Sequence, residues 1–595
     1  MGKTYLRPDR LPNSEYDFIV VGAGNAGGVV AARLAENPAF RILVIEAGVS
    51  DNEKDSDLLR MPFLAGTAWG TKFDWNYKTT AQTGLNGRAI EFPRGFVVGG
   101  CSNTNSLVYI RGPSEDFDRL ANISGDAGWS WSSLQKYIRM NERHVSPWNN
   151  RGDEGEFDPT VHGDGPLQTS LTAEPSDLDR RVIQTTEQLK DSFPFNPDFN
   201  SGDCMGVGKK GSLLPEYSVI FFEGWIHSTV GEGARSSSST AFLNPALESR
   251  ENIDLLLHTQ VTRLLPTEAH DVDFRTVEIS LGANASVFTL TATKEVILCA
   301  GAIGTPQILQ LSGIGPKDVL GRAGVTQLVD LPDVGQHLQD QPIVFFQWRV
   351  NGPTLSSYLR DPETVRAILA EYSASKTGFA ASSAFFNTIA FLRLPETSTL
   401  LHGNDPAAGP NSAHFLFAFV NAYTPNPGQT RATEGDWISV SVVLQSPTSE
   451  GSVDIASASA FDHPNIDPAY LTTAFDIGTM MTAYKTLEAF FSAPAWNGYL
   501  GAPSPDTANL TTDGAIEAYV RKHSSTLKHP VATARISKKD DPDGVVGPDL
   551  AVKKIRGVRV VDASVLPFAS AGFPQAQVYI LAERAAALIK EKWGN

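Results

Sequence analysis

The sequence predicts a chain of class α/β plus α+β, in which a Rossmann-like domain is joined to a second domain built on an antiparallel sheet backed by helices. Three observations predict it. Residues 16–46 read as strand, glycine turn, helix and strand, the grammar of a βαβ unit. Strand-sized apolar runs resume at Ile253-Asp-Leu-Leu-Leu-His258 and Glu295-Val-Ile-Leu-Cys-Ala-Gly301, so the first sheet is completed from distant parts of the chain. From about 340 to 500, alternating segments such as Trp437-Ile-Ser-Val-Ser-Val-Val443 stand beside a helix-spaced stretch from Ile477 to Phe491.

Composition bounds the function classes. The 595 residues suffice for two or more domains of the usual ~100–200 residues. Hydrophobic residues at 41% and charged residues at 19% describe a chain that folds by burial. The balance of 49 basic against 66 acidic residues, a formal charge of −17, repels phosphate backbones, so no nucleic-acid partner is expected. No run approaches the ~20 apolar residues of a membrane-spanning helix, and no membrane partner is expected either. Three cysteines, Cys101, Cys204 and Cys299, are too few and too scattered for a disulfide scaffold or a four-ligand zinc site, and no metal is expected. The N-terminal segment has no apolar stretch of signal-peptide length. A cytoplasmic location therefore fits best, with secretion open to a chain whose N-terminus is processed.

Taken in order, Tyr16-Asp-Phe-Ile-Val-Val21 is a buried strand, Gly22 to Gly28 a glycine turn, Val29 to Ala35 a helix, and Phe40 to Glu46 the next parallel strand. Residues 60 to 125, rich in Gly, Asn and Ser, are expected to be extended and loop-rich against this unit. Residues 1–340 form mainly the nucleotide domain, with second-domain segments inserted at about 150–230. Residues 341–520 form mainly the substrate-facing domain. Residues 521–595, through Gly557-Val-Arg-Val-Val-Asp562 and an Ala-rich helix from Val578 to Ile589, return to the first domain.

Gly22, Gly24 and Gly27 give G-x-G-x-x-G after a strand and before a helix, where absent side chains allow a tight turn and close approach of a pyrophosphate to helix N–H groups. Glu46, at the end of the following strand, is placed to accept from ribose hydroxyls and to repel a 2′-phosphate, which disfavours NADP. This fingerprint leaves NAD and FAD both open.

A second glycine-rich segment, Phe92-Pro-Arg-Gly-Phe-Val-Val-Gly-Gly-Cys-Ser-Asn-Thr-Asn-Ser-Leu-Val-Tyr-Ile-Arg-Gly112, resembles the signature of glucose-methanol-choline flavoenzymes. Residues 73–77, 234–243, 300–315 and 334–340 match the same family in order, so the resemblance spans essentially the whole chain. The wording around Thr80-Ala-Gln82, Ser114 to Asp118, 406–414 and Phe475-Asp-Ile477 is most similar to fungal aryl-alcohol oxidases. The resemblance implies FAD as cofactor. It places Gly99, Gly100 and Asn105 toward the isoalloxazine ring, Val261 near the adenine, and Asp562 and Ala563 by the pyrophosphate and ring. Relatives that attach FAD covalently use a histidine in the glycine-rich segment; Cys101-Ser-Asn-Thr-Asn105 has none, so FAD is expected to be non-covalent.

Oxidising an alcohol at a flavin needs a base for the hydroxyl proton while hydride leaves the neighbouring carbon, and an imidazole suits that near neutrality. The resemblance assigns this role to His529 in Leu527-Lys-His-Pro-Val-Ala-Thr533. Where the family carries a second histidine or asparagine, this chain has Phe573, which can neither take nor donate a proton. Gln575 is expected to bond flavin or substrate, and Phe92 and Tyr423 to supply pocket aromatics. Lys528 replaces an aromatic residue and Ala532 a glycine. An inward Lys528 would depress the pKa of His529 and could bind a carboxylate or phenolate, while the favoured alternative is a solvated, outward side chain.

The function expected is FAD-dependent oxidation of CH–OH groups, on aryl or allylic alcohols among others, with a small-molecule substrate and oxygen or another electron acceptor as partners. With half of the usual pair missing, a non-oxidative lyase or cyclase, or a light-driven decarboxylase, stays open on the same fold. So does a flavin-binding protein with little turnover.

Overall fold

The computed structural model describes residues 1–12, 15–153, 155–190, 192–205, 221–268, 271–383, 386–403 and 405–594. Part of the expected insertion at about 150–230, residues 206–220, therefore lies outside the described residues.

The first sheet has eight strands and begins from two short, buried apolar runs. Tyr16–Val21 and Ile42–Ile45 are covered on both faces, which is why they read as unbroken Val/Ile/Leu stretches. They pair in parallel, Phe18 opposite Ile42 and Val21 opposite Ile45, with the helix Asn25–Leu34 crossing between them. Ile253–Leu256 adds in parallel beside Ile42–Ile45, and Val287–Leu298 beside Tyr16–Val21. Val558–Val560 then pairs with Val287–Leu298, so the chain's last strand joins the sheet its first residues began. Gln260–Leu265 and Thr276–Ser280 extend the sheet as an antiparallel meander whose alternating exposure reflects one solvated face.

The second sheet is antiparallel and has seven strands. Leu500–Pro503, Pro342–Val350, Asp436–Leu444, Phe415–Val420, Thr388–Leu392 and Phe221–Trp225 follow one another, and Ser525–Thr526 pairs with the start of Pro342–Val350. Side-chain alternation gives its two faces different work. On Phe415–Val420, Phe415, Phe417 and Phe419 pack into a core with Met480, Ala483 and Leu487 of the helix Ala474–Phe490, while Leu416, Ala418 and Val420 face a cavity. Val344 and Phe346 likewise join that core, and Ile343 and Phe345 face the cavity.

The segment 60–125 departs from its loop-rich expectation at Ser114–Ser124, an α-helix. Its buried residues, Asp116, Phe117, Leu120, Ala121 and Ser124, fall at helical spacing, Glu115 and Asp116 sit in the first turn, and Gly125 ends it at φ 71°.

Candidate active site

A cavity of about 1020 Å³ lies between the two sheets, at the upper end of the ~300–1,000 Å³ usual for ligand pockets. Its first half is walled by residues just beyond four strands: Gly22 after Tyr16–Val21, Glu46 after Ile42–Ile45, Cys299 after Val287–Leu298 and Asp562 after Val558–Val560. In open α/β sheets the carboxyl ends of the strands are where ligands bind.

Gly22 turns the chain at φ 98°, and a Cβ there would stand 2.6 Å from the carbonyl oxygen of Cys299. Gly24 caps the helix Asn25–Leu34 without a side-chain hydrogen bond, leaving N–H groups for a ligand. Gly100 closes on it so tightly that a Cβ would lie 2.7 Å from the Gly24 Cα. Gly27 does not face the cavity. It lets the helix pack on the turn, since a Cβ would fall 1.9 Å from the Gly22 oxygen. Gly99 also stops short of the wall, because at φ 87° its N–H is spent on Ala23 and its carbonyl accepts from Ser102. Glu46 accepts from the N–H groups of Ala23 and Gly48 at 2.8 Å each, and burial pushes its carboxyl up to about 7. Asp562 accepts from Gly301 N–H at 2.9 Å and Thr305 Oγ1 at 2.6 Å. Asn105, Val261 and Ala563 complete this half of the wall.

Gln575 also lines the cavity. Asn105 Nδ2 donates to its Oε1, and its own Nε2 is buried without a hydrogen-bond partner. An uncapped helix N-terminus, a ribose-ready carboxylate, glycine-only approaches and an orphaned amide donor suit a dinucleotide, and the residues present fit FAD.

His529 sits where the second half begins, on a loop strapped to residues 339–341. Its N–H donates to Asp340 Oδ1 at 2.6 Å, Leu527 N–H donates to the Gln341 carbonyl, and Val531 pairs with Gln339. Its Nδ1 lies 2.7 Å from Gln341 Oε1. The amide orientation of Gln341 is decided elsewhere, because its Nε2 must donate to the carbonyls of Gln445 at 2.9 Å and Ser570 at 2.8 Å. Oε1 therefore accepts, Nδ1 carries the proton, and the lone pair of Nε2 is left to serve as a base. Burial, with Arg94 and Lys528 adding to it, holds this imidazole well below its usual pKa.

Phe573 occupies the other side of the histidine, its ring 5.0 Å from the imidazole centroid and edge-on at 76°. Phe573 is thus in contact with His529. Lys528 differs from the outward side chain expected. It lines the cavity with Nζ 4.0 Å over the Trp69 ring, and burial draws its pKa down to about 8. Phe92 and Tyr423 do not line the cavity. Phe92 is fully buried in the strand pairing with Tyr77 and packs in the core, and Tyr423 stands edge-on to Trp437. The cavity's aromatic surface comes instead from Trp69, Trp75, Tyr77, Phe345, Phe386 and Phe573.

A separate buried cluster escaped sequence reading. His162 is held between Glu142, 3.0 Å from Nδ1, and Asp198, 2.9 Å from Nε2, with Arg111 also paired to Glu142. Burial alone would lower the pKa of His162, but its two carboxylate bonds hold it up to about 9. His227 is buried with Nε2 unpartnered, and burial presses its pKa down to about 3. Nitrogen and oxygen atoms of His162, Asp198 and His227 lie within 4.8 Å of one another, a spacing a metal could use, yet both nitrogens of His162 are already engaged by carboxylates.

Known proteins resemble this chain over nearly its whole length. Two family models, both described as GMC oxidoreductase, match residues 16–343 and 447–582. Pyranose dehydrogenase 3 of Leucoagaricus meleagris is 36% identical over 602 residues, covering 99% of this chain and 95% of that protein. The oxygen-dependent choline dehydrogenase of Vibrio vulnificus is 33% identical over 582 residues, covering 97% and 94%. Among solved structures, a formate oxidase variant from Aspergillus oryzae RIB40 aligns with a TM-score of 0.85 at 27% identity, over 100% of this chain and 99% of that one. A fungal aryl-alcohol oxidase at 23% identity shares the fold, with a TM-score of 0.80 over 98% and 100%.

Proposed function

The chain belongs to the GMC oxidoreductase family, and from that premise we propose that this FAD-dependent enzyme oxidises CH–OH groups with His529 as its single base. The observation that carries the proposal is the fixed tautomer of His529. Its Nδ1–H is committed to Gln341, so Nε2 is the atom that takes the hydroxyl proton, and the imidazolium formed keeps its bond to Gln341. FAD, when bound, supplies the two-electron acceptor for the hydride. Ile343, Phe345, Leu416, Val420 and Phe573 exclude water around the reacting carbon, which strengthens every polar contact made there.

FAD is held without a covalent bond in this reading. His529 is the one histidine among the described residues that line the cavity, and burial pushes the Cys299 thiol well above its usual pKa, away from the nucleophilic thiolate. The electron acceptor is oxygen or another small molecule. The named relatives are dehydrogenases and oxidases, and sugars as well as aryl and allylic alcohols belong among the substrates to be tried. No observation favours the lyase, cyclase or decarboxylase alternatives.

The test is anaerobic titration of the purified flavoprotein, in darkness, with pyranoses and with benzylic, allylic and aliphatic alcohols. Bleaching of the oxidised flavin by one class is expected. A flavin that dithionite reduces but no alcohol or sugar does would remove the proposal.

A further inference from the structure

The cavity wall carries a cation that the protein itself does not neutralise. Lys528 stands in left-handed backbone, φ 71°, between two anchors: its N–H donates to Thr526 Oγ1 at 2.6 Å, and its carbonyl accepts from Arg94 Nη2 at 2.6 Å. A non-glycine residue held there is strained by about 1–2 kcal/mol, so the orientation of this side chain is imposed by the loop rather than chosen by it. Nζ lies 4.0 Å above the Trp69 ring, and its hydrogen bond is a long 3.4 Å contact with the Thr526 carbonyl. Among the described residues Lys528 forms no ion pair. The two carboxylates that act on it electrostatically are Asp340 and Asp74. Both are already occupied, Asp340 by His529 N–H, Thr526 and Tyr470, and Asp74 by the N–H groups of Gly70, Asn76 and Arg94.

An ammonium has three donors, and leaving two of them without protein acceptors in a partly buried cavity wall is costly. Such a group marks a place where a ligand supplies the counter-charge. The adjacent residue is His529, and both open on the same cavity.

We propose that Lys528, seated on Trp69, is an anion subsite for the substrate, and that the enzyme acts on an alcohol carrying a carboxylate, with its hydroxyl at His529 and its carboxylate at Lys528. The proposal rests on reading the His529 cavity as the alcohol-oxidising site. The apolar wall facing it, including Phe345, Leu416 and Val420, suits a hydrocarbon body between the two polar ends. Arg94, whose Nη2 holds the Lys528 carbonyl and which also lines the cavity, adds to the positive potential there.

The test is made on the flavin-loaded full chain and needs no turnover. Benzoate, phenylacetate and hexanoate, each against its primary amide, are titrated into wild type, K528M and K528R while perturbation of the flavin visible spectrum is followed. At least one carboxylate is expected to bind wild type about ten- to a hundredfold more tightly than its amide. K528M is expected to abolish that preference while leaving amide affinity and flavin content unchanged, and K528R to keep most of it. A wild type that binds no carboxylate better than its amide overturns the proposal. So does a K528M protein that weakens acid and amide alike, or one that has lost its flavin. A preference for carboxylates in a protein that no alcohol reduces would retain the anion subsite and count against oxidation instead, so the two readings fail separately.

Discussion

Replacing His529 by asparagine tests the mechanism where the structure is most specific. Asparagine keeps an amide N–H for Gln341 Oε1, the acceptor 2.7 Å from Nδ1 in the wild type, while removing the Nε2 lone pair. A positioned base contributes about 10²–10⁴ in rate, and the surroundings decide where in that range the loss falls. Phe573, 5.0 Å from the imidazole, has no lone pair to substitute. Asp340 is occupied by His529 N–H, Tyr470 and Thr526, and Lys528 is a cation. With no second base within reach, the loss belongs at the upper end, about 10³–10⁴, or ~4–5.5 kcal/mol on the barrier at 1.36 kcal/mol per decade. The assay is the rate of flavin reduction by anaerobic stopped flow with the best alcohol or sugar. The flavin spectrum before mixing controls for the cofactor. A fall of less than about tenfold with an intact spectrum would refute His529 as the base and point to proton loss by another route.

Other outcomes follow from the same geometry. Because burial, Arg94 and Lys528 depress His529, the base stays unprotonated on the acid side, and kcat/KM of the wild type should hold level through pH 6.5; in K528M one depressing charge is gone and the acid limb should move up toward neutrality, read from the pH profile. F573H places a donor beside the reacting oxygen, and a hydrogen bond to developing charge, at about 1.5–3 kcal/mol, should raise the reduction rate about ten- to a hundredfold if the ring keeps the position of Phe573. The buried histidines predict a stability maximum. His227, lowered to about 3, favours the fold above its unfolded pKa of ~6.5 and loses that as pH falls toward 3; His162, raised to about 9, favours it below ~6.5 and loses that as pH rises through 9. Thermal melts should therefore peak near pH 6.5, and H227N should flatten the acid side.

Much of the first domain was legible because its signals are local. A strand, three glycines, a helix and Glu46 occupy 31 consecutive residues, and Gly22 and Gly27 are each explained by a φ or a close approach that the turn demands. His529 was found through the wording around it, and Ala532, which replaces a glycine in that resemblance, stands at φ 74°, the left-handed shape that a glycine takes freely. The rest depended on contacts between distant segments. Gln341 directly follows the motif ending at Asp340, but nothing local says that the carbonyls of Gln445 and Ser570 orient its amide and so choose the tautomer of His529. Phe92 is expected as a pocket aromatic on which an aromatic substrate would stack; its neighbours Glu91 and Pro93 line the cavity, while Phe92 between them packs in the core. His144, His162 and His227 are spread along the chain without ligand spacing, and only the fold brings their ring centroids within 5.7 Å of one another, tilted or edge-on.

The closing of the first sheet by Val558–Val560 has a consequence for how the chain is made. At about 5–20 residues per second, a ribosome spends roughly 30 seconds to two minutes on the chain, and for a little under half of that time the finished strand Val287–Leu298 has one edge without its last parallel neighbour. Asp562, Phe573 and Gln575 emerge last, together with the helix that covers Asn25–Leu34. The nascent protein must therefore wait with apolar strands unpaired, as parallel pairings between remote segments are slow to form. Truncations at the C-terminus should fail in synthesis rather than in catalysis, and flavin supplied during expression should raise soluble yield by capturing the chain once its final strand is in place.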